Sequence, residues 1–356
     1  MLRGKTMRNA IRTIFFLFTG ISLMMPLKGQ SLRETLEMMA RENAKGYLGP
    51  VVTAFGTGVN SGTFRKAKPH GMLGFDVTLN VSATVVPDAG LEYEFFIPGE
   101  ITLPFDPGDG TTYDIALNGD QLYPGDRTSS TFFGEDKSNT IEADGSYAVS
   151  AIKDQLVNTY GVSQEVVDNI PASDLEGAVS DLNLETPKGF NFPGLPMFIP
   201  QASVGLPMDI EVTLRGFPTF KLGEAGELSF FGFGGKIGLN QFIPIPLFPV
   251  ALSAGYYMTS LKLSDVIESN HSIMTLQASK SIPFITVYGG IGIENSSMDV
   301  TYEHPDLGKI EFSLDGENKF RTIAGVRLKL ALLSINADYN VGEYKALNIG
   351  VGLTLR

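Results

Sequence analysis

The sequence predicts an all-β fold: a transmembrane antiparallel β-barrel of 12–14 strands with a short N-terminal helix and a large extracellular insertion. Three observations carry that prediction. Apolar and polar residues alternate with period two over long stretches, as in "GMLGFDVTLNVSATVV" at 71–86. The polar positions of these stretches are mostly Gly, Ser, Thr and Asn, which suit a crowded lumen better than the Lys and Glu of a solvated sheet face. The chain also opens on a basic and then apolar segment of the export type.

Period-two alternation means a strand with one face in an apolar medium and the other in a polar one. In 320–341 the apolar residues Phe320, Ala324, Val326, Leu328 and Leu330 fall on even positions, then Leu333, Ile335, Ala337, Tyr339 and Val341 on odd ones. Such a parity switch marks a tight turn at Ala331–Leu332. Alternation alone does not say which face is inside, so a soluble periplasmic or secreted β-sandwich is the competing architecture. The length of the runs and their small polar faces favour the barrel.

In chain order, Arg3, Lys5, Arg8 and Arg12 precede an apolar run from Ile14 to Leu27 that is too short for a membrane helix. Residues 1–30 are therefore expected to be a signal peptide, and the destination the outer membrane. Removing them takes away five basic and no acidic residues, so the formal charge moves from −12 to −17. That balance argues against nucleic acid as a partner. Residues 31–46 predict a helix, plugging the lumen or lying in the periplasm: Ser31 and Glu34 form a capping pair, Leu32, Leu36 and Met39 share a face, and Gly46 stops it.

The barrel itself is expected over 47–356. Strand-like runs fall at 47–58, 71–86, 91–97, 198–204, 208–217, 228–240, 249–263, 271–280, 284–294, 319–330, 333–341 and 346–356, a total of twelve. A hairpin at 297–303 and 309–315 raises it to fourteen if it joins the wall. Both totals are even, as bacterial barrels require. Residues 98–197 interrupt the pattern with an acidic, turn-rich half and a half reading as two or three short helices. By strand count this insertion lies outside the cell, and a connection of that size is rarely idle.

Candidate chemistry is sparse. The chain has no Cys, so thiolate and disulfide chemistry are absent. His70, His271 and His304 each fall at the end of an expected strand or in a turn, none at metal-ligand spacing, and no nucleophile elbow, zinc-protease motif or P-loop occurs. No catalytic residue, cofactor or metal ligand is expected, and the chain reads as a non-enzyme. Asp106, Asp109 and Asp114 resemble calcium ligands only loosely and suit a solvated acidic loop. Arg321, Arg327 and Lys329 share the lumen-facing parity of one strand, where guanidinium forks would suit an acidic group of a ligand. The competing reading pairs them internally with Asp338, Asp209 or Glu211. "FNFPGLPMFIPQ" and "FIPIPLFP" read equally as a hydrophobic portal or as interfacial turn.

"GLPMFIPQASVGLPMDIEVTLRGFP", "GFGGKIGLNQFIPIPLFPVALSAGYYMTSLKL" and "NKFRTIAGVRLKLALLSINADYNVGEYKALNIGVGLTLR" resemble a group of uncharacterised outer-membrane barrels related to long-chain fatty-acid transporters of the FadL type. The resemblance covers 190–356 well and 47–86 more loosely. It implies fourteen strands, an N-terminal plug and a hydrophobic ligand path opening laterally to the membrane. The chain departs from the pattern in lacking an Asn-Pro-Ala plug signature ("RENAKGYLGP" is nearest) and in ending on Arg356.

The expected activity is passive uptake of a hydrophobic or amphipathic small molecule, with membrane lipid around the wall. The alternative is a non-transporting barrel whose insertion docks a surface or secretion protein.

Overall fold

The computed structural model describes residues 40–221, 227–242 and 249–355. A helix, α1 (Arg41–Val59), comes first. After strand β1 (Phe75–Val85) the chain leaves the wall for a cap. The cap contains β2 (Glu92–Glu94), β3 (Glu100–Phe105), β4 (Tyr113–Asn118), α2 (Gly119–Leu122), β5 (Thr128–Ser130) and β6 (Thr140–Ile141). It continues through α3 (Gly145–Asn158), α4 (Gln164–Asp168), α5 (Ala172–Ser180) and β7 (Leu184–Glu185). The wall then resumes with β8 (Gly194–Leu206), β9 (Ile210–Lys221), β10 (Glu227–Gly238), β11 (Ala251–Leu263) and β12 (Ile267–Ile282). It ends with β13 (Ile285–His304), β14 (Gly308–Asp315), β15 (Phe320–Leu330), β16 (Leu333–Val341) and β17 (Lys345–Leu355).

The sheet order is β12-β11-β10-β9-β8-β1-β17-β16-β15-β13-β14, and β12 also pairs with β13. That last pairing closes an antiparallel barrel of ten strands. β14 stays outside the ring because β13 is long enough to serve two neighbours: its first part, from Ile285 to Ile293, pairs with β15, and its last, from Ser297 to His304, pairs with β14. The count of 12–14 is thus corrected to ten. Of the twelve runs, 47–58 lies in α1 and the strand within 91–97 pairs with β5 in the cap; the 297–315 hairpin extends the wall upward without joining it.

The wall is inside out relative to a soluble protein. On β1, Val77 is 55% exposed while its neighbour Asp76 is 2% exposed. The same parity runs round the barrel, with Leu214, Phe233, Leu276, Val287, Val326, Ile349 and Leu353 all exposed. A continuous apolar exterior over polar interior positions is the pattern of a transmembrane barrel. Tight connections gather at one end. They include Ala331–Leu332, where Ala331 takes a φ of 54° and no glycine marks the bend, and Pro283–Phe284. We call this the turn end and the opposite one the cap end.

The cap has its own core, in which Ile115, Leu117, Leu122, Ile152 and Leu156 are fully buried. The helix expected over 31–46 is also corrected: α1 runs through Gly46 and Pro50 to Val59. Residues 31–39 and the expected signal peptide lie outside the described residues.

Candidate functional site

The lumen is occupied by the chain itself. α1 and the irregular segment 60–74 run down the inside of the barrel and meet its polar face. Near the cap end the fit is apolar. Tyr47, Leu48, Val51 and Val52 pack on Val86, Ile267, Met298, Val300, Tyr302, Ile310 and Phe312. Cap residues hold the helix from above: the Asn43 side-chain NH2 donates to the Phe96 carbonyl at 3.0 Å, its Oδ1 accepts from the Phe96 amide at 2.7 Å, and the Phe132 amide donates to the Tyr47 carbonyl at 3.0 Å. Further down, the helix touches the wall closely. At Gly56 a Cβ would lie 2.0 Å from the Ser296 hydroxyl, so only glycine allows this approach.

The C-terminal end of α1 marks the change to polar packing. The last carbonyls of a helix lack internal partners and carry partial negative charge. Two wall arginines supply both donors and charge. Arg215 donates to the Val59 and Ser61 carbonyls, each at 2.6 Å, and Arg321 donates to the Thr57 carbonyl at 3.2 Å. Arg321 also forks onto Glu294, with Nε and Nη2 3.1 and 2.9 Å from Oε1 and Nη2 2.7 Å from Oε2. Asn60 of the plug donates to the same carboxylate at 2.8 Å, and Asn318, in the connection from β14 to β15, donates to the Thr57 hydroxyl at 2.8 Å.

Toward the turn end a second cluster ties 65–70 to the wall. Arg65 pairs with Asp76, and Lys236 lies 3.2 Å from Glu211 while donating to the Lys66 carbonyl at 2.7 Å. His70 joins both carboxylates: Nδ1 is 2.7 Å from Glu211 and Nε2 3.2 Å from Asp76. Arg327 and the half-buried Lys66 line the same narrow cleft, together with Phe64.

The three cations singled out in the sequence therefore do different things. Arg321 is spent on the plug and on Glu294. Arg327 faces the lumen near the turn end, and Lys329 is half-buried beyond it. Asp338 accepts from Asn340, Asn348 and Tyr288 rather than from an arginine. Glu294, Arg65, Asp76 and Lys236 were missed as a set. Each has lumen parity or a place in the plug, but their pairing depends on which strands meet.

The histidine reading also needs correction. β12 begins four residues earlier than expected, so His271 lies inside a strand and is buried, its Nε2 2.6 Å from the Ser269 hydroxyl. That hydroxyl donates to the Ser297 carbonyl at 3.0 Å, so His271 is the donor to it. The serine proton is committed elsewhere, and the pair is not an activated nucleophile. His304 ends β13, and its Nδ1 accepts the amides of Asp306 and Leu307 in the turn that follows. Asp106 and Asp109 accept the amides of Gly108 and Thr111, so both serve their own turn.

The cap holds a second concavity, an open cleft of about 680 Å³ lined by Glu92, Glu94, Asp120, Asp126 and Arg127. Thr128 donates to Asp126 from its hydroxyl (2.6 Å) and its amide (2.9 Å) and holds that carboxyl below the usual range. Arg127 pairs with Asp120 at 3.0 Å.

A protein-family model described as a family of unknown function (DUF6588) matches residues 7–355. No curated protein matches the chain. Among solved structures, the attachment invasion locus protein Ail of Yersinia pestis, in complex with the heparin analogue sucrose octasulfate, is similar at 9% identity. That match covers 80% of this chain and 100% of that one, with a TM-score of 0.22. A loop-deletion mutant of OmpT, an outer membrane protein of Vibrio cholerae, is similar at 13% identity over the same shares, with a TM-score of 0.23. At these scores neither likeness enters the argument that follows.

Proposed function

The chain belongs to the DUF6588 family of unknown function, and we propose that this member is a plugged outer-membrane β-barrel for passive uptake of hydrophobic or amphipathic small molecules, catalysing no reaction. The observation that carries the proposal is the polar seal. Arg321, Glu294, Asn60 and Thr57 join plug to wall through buried charges and hydrogen bonds. A permanent stopper would be as stable or more so with apolar contacts, because burying charges costs desolvation. A polar seam suits an interface that parts, since water can satisfy both sides when it opens. The outward apolar face and the expected signal peptide support an outer-membrane location.

The class of solute follows from what α1 covers. When the helix shifts, Ile267, Met298, Val300, Ile310 and Phe312 become an apolar path below the cap. An apolar solute is held there by burial, at roughly 25 cal/mol per Å². The FadL-type resemblance adds the same expectation. Arg327 and Lys329 then stand near the exit as contacts for an acidic group, and Arg321 becomes available only once the seal has parted.

The test is a reversible lock. The chain has no cysteine of its own, so Thr57→Cys with Asn318→Cys places one thiol pair across the seal. In proteoliposomes, oxidation is expected to stop uptake of a labelled alkyl solute and reduction to restore it. Equal uptake in both states would remove plug movement from the mechanism.

A second reading is favoured by the cap, whose separate core makes it a folded module at the barrel end. In that reading the protein is a docking platform for a surface or secretion protein, and the lock leaves its activity untouched.

A further inference from the structure

The cluster around His70 contains more cation than it uses. Arg65, Lys66, Lys236 and Arg327 line one cleft with Asp76 and Glu211, a formal excess of two positive charges with histidine neutral. Both carboxylates are already engaged: Asp76 by Arg65, and Glu211 by His70 and Lys236. Arg327 is 4% exposed, and its Nε and Nη2 find no hydrogen-bond partner among the described residues; neither does Nη1 of Arg65, also 4% exposed. Buried charges and buried donors are normally satisfied, since leaving them unpaired costs several kcal/mol.

The identity of the free atoms is informative. Nε and Nη2 form the side edge of a guanidinium, the pair that grips two oxygens of one oxyanion in parallel. Six residues earlier on the same strand, Arg321 uses that same edge on the two oxygens of Glu294. Arg327 offers the identical fork where none of the described residues supplies a carboxylate to it. The charge excess of two matches a doubly charged anion better than a monocarboxylate. The cleft as it stands has no free volume for even a water molecule, so an anion enters it only when the half-buried Lys66 side chain swings aside.

We propose that Arg327, Arg65 and Lys66 form a binding site for a small inorganic oxyanion of the phosphate class, which bridges the plug to the wall at the turn end. The anion takes the Arg327 fork from the wall and the free Arg65 donor and Lys66 ammonium from the plug. It thereby makes the lower seal a three-part joint. The site does not depend on uptake, because its occupancy is read without transport.

The experiment is a titration of inorganic phosphate into the full-length protein in detergent, followed by ³¹P line broadening, with acetate as a parallel probe. Saturable broadening is expected in the natural protein. It should weaken roughly tenfold or more in Arg327→Gln, only in part recover in Arg327→Lys, which restores charge without the fork, and persist in Lys262→Gln at the distant cap end. If Arg327→Gln does not yield a folded, heat-modifiable barrel, Lys66→Gln on the half-buried plug position should still weaken binding several-fold. Phosphate binding that is absent, or unchanged in Arg327→Gln and Lys66→Gln, would overturn the site. Binding of acetate without phosphate would overturn the assignment of ligand class.

Discussion

Arg321 closes the α1 end, pairs with Glu294 and reaches Asn340, all while 1% exposed. Truncating it leaves the Glu294 carboxylate buried without its counter-charge, a defect worth about 3–5 kcal/mol. Arg321→Ala is therefore expected to lower the temperature at which the barrel loses heat-modifiable migration. Arg321→Met combined with Glu294→Gln should cost less than Arg321→Ala, because no uncompensated charge remains. Additive losses in the pair would show that the two side chains act separately. The lumen-facing parity of Arg321 was legible in the sequence, and internal pairing was one of the readings it allowed. The partner was not legible. Glu294 lies beside Arg321 only because Gly292 of β13 is in register with it, and register between strands is a long-range property.

Among elements, α1 is where local and tertiary signals conflict most. Gly46, Gly49, Pro50, Gly56 and Gly58 all weaken a helix, so an early stop and a following strand were the local reading of 31–58. Burial decides otherwise: Ala44, Tyr47, Leu48, Val52 and Ala54 have no exposed surface, and the glycines let the helix fit inside a narrow wall. Leu48→Asp would bury an unpaired carboxylate in the apolar part of the lumen. It is expected to dislodge α1, raising conductance in planar bilayers while the strand content seen by circular dichroism stays constant. Unchanged conductance would mean that 60–74 closes the barrel alone. The strands were far more legible than the helix. Their alternation survives along most of the wall because one face meets lipid and the other the plug. It breaks where β9 and β10 slip register between Leu228 and Phe230, and at the proline-rich start of β8, where Pro196 and Pro200 precede the Gln201–Leu206 stretch that pairs with β9. Their missing amides thus fall where that side of the strand is unpaired.

At the scale of the molecule, the cap leaves and rejoins the wall through adjacent strands. Val85 is in register with Gly194, and the Val86 amide donates to the Pro193 carbonyl at 3.2 Å. A short turn replacing 87–192 is therefore expected to leave a heat-modifiable barrel. The lost contacts of Asn43 and Tyr47 should make it leakier to small solutes. A variant that no longer assembles would place the cap in the folding core. The pairing of β1 with β17 has a further consequence. Phe75 lies against Leu355, so the seam is sealed by segments nearly the whole chain apart, and such remote contacts form late. α1 precedes the first wall strand yet ends up enclosed by all of them. Where the sheet curls around that earlier-synthesised segment, α1 acts as a mandrel, and assembly and sealing are one event. A Leu48→Asp barrel with full strand content would instead show that the wall closes without it.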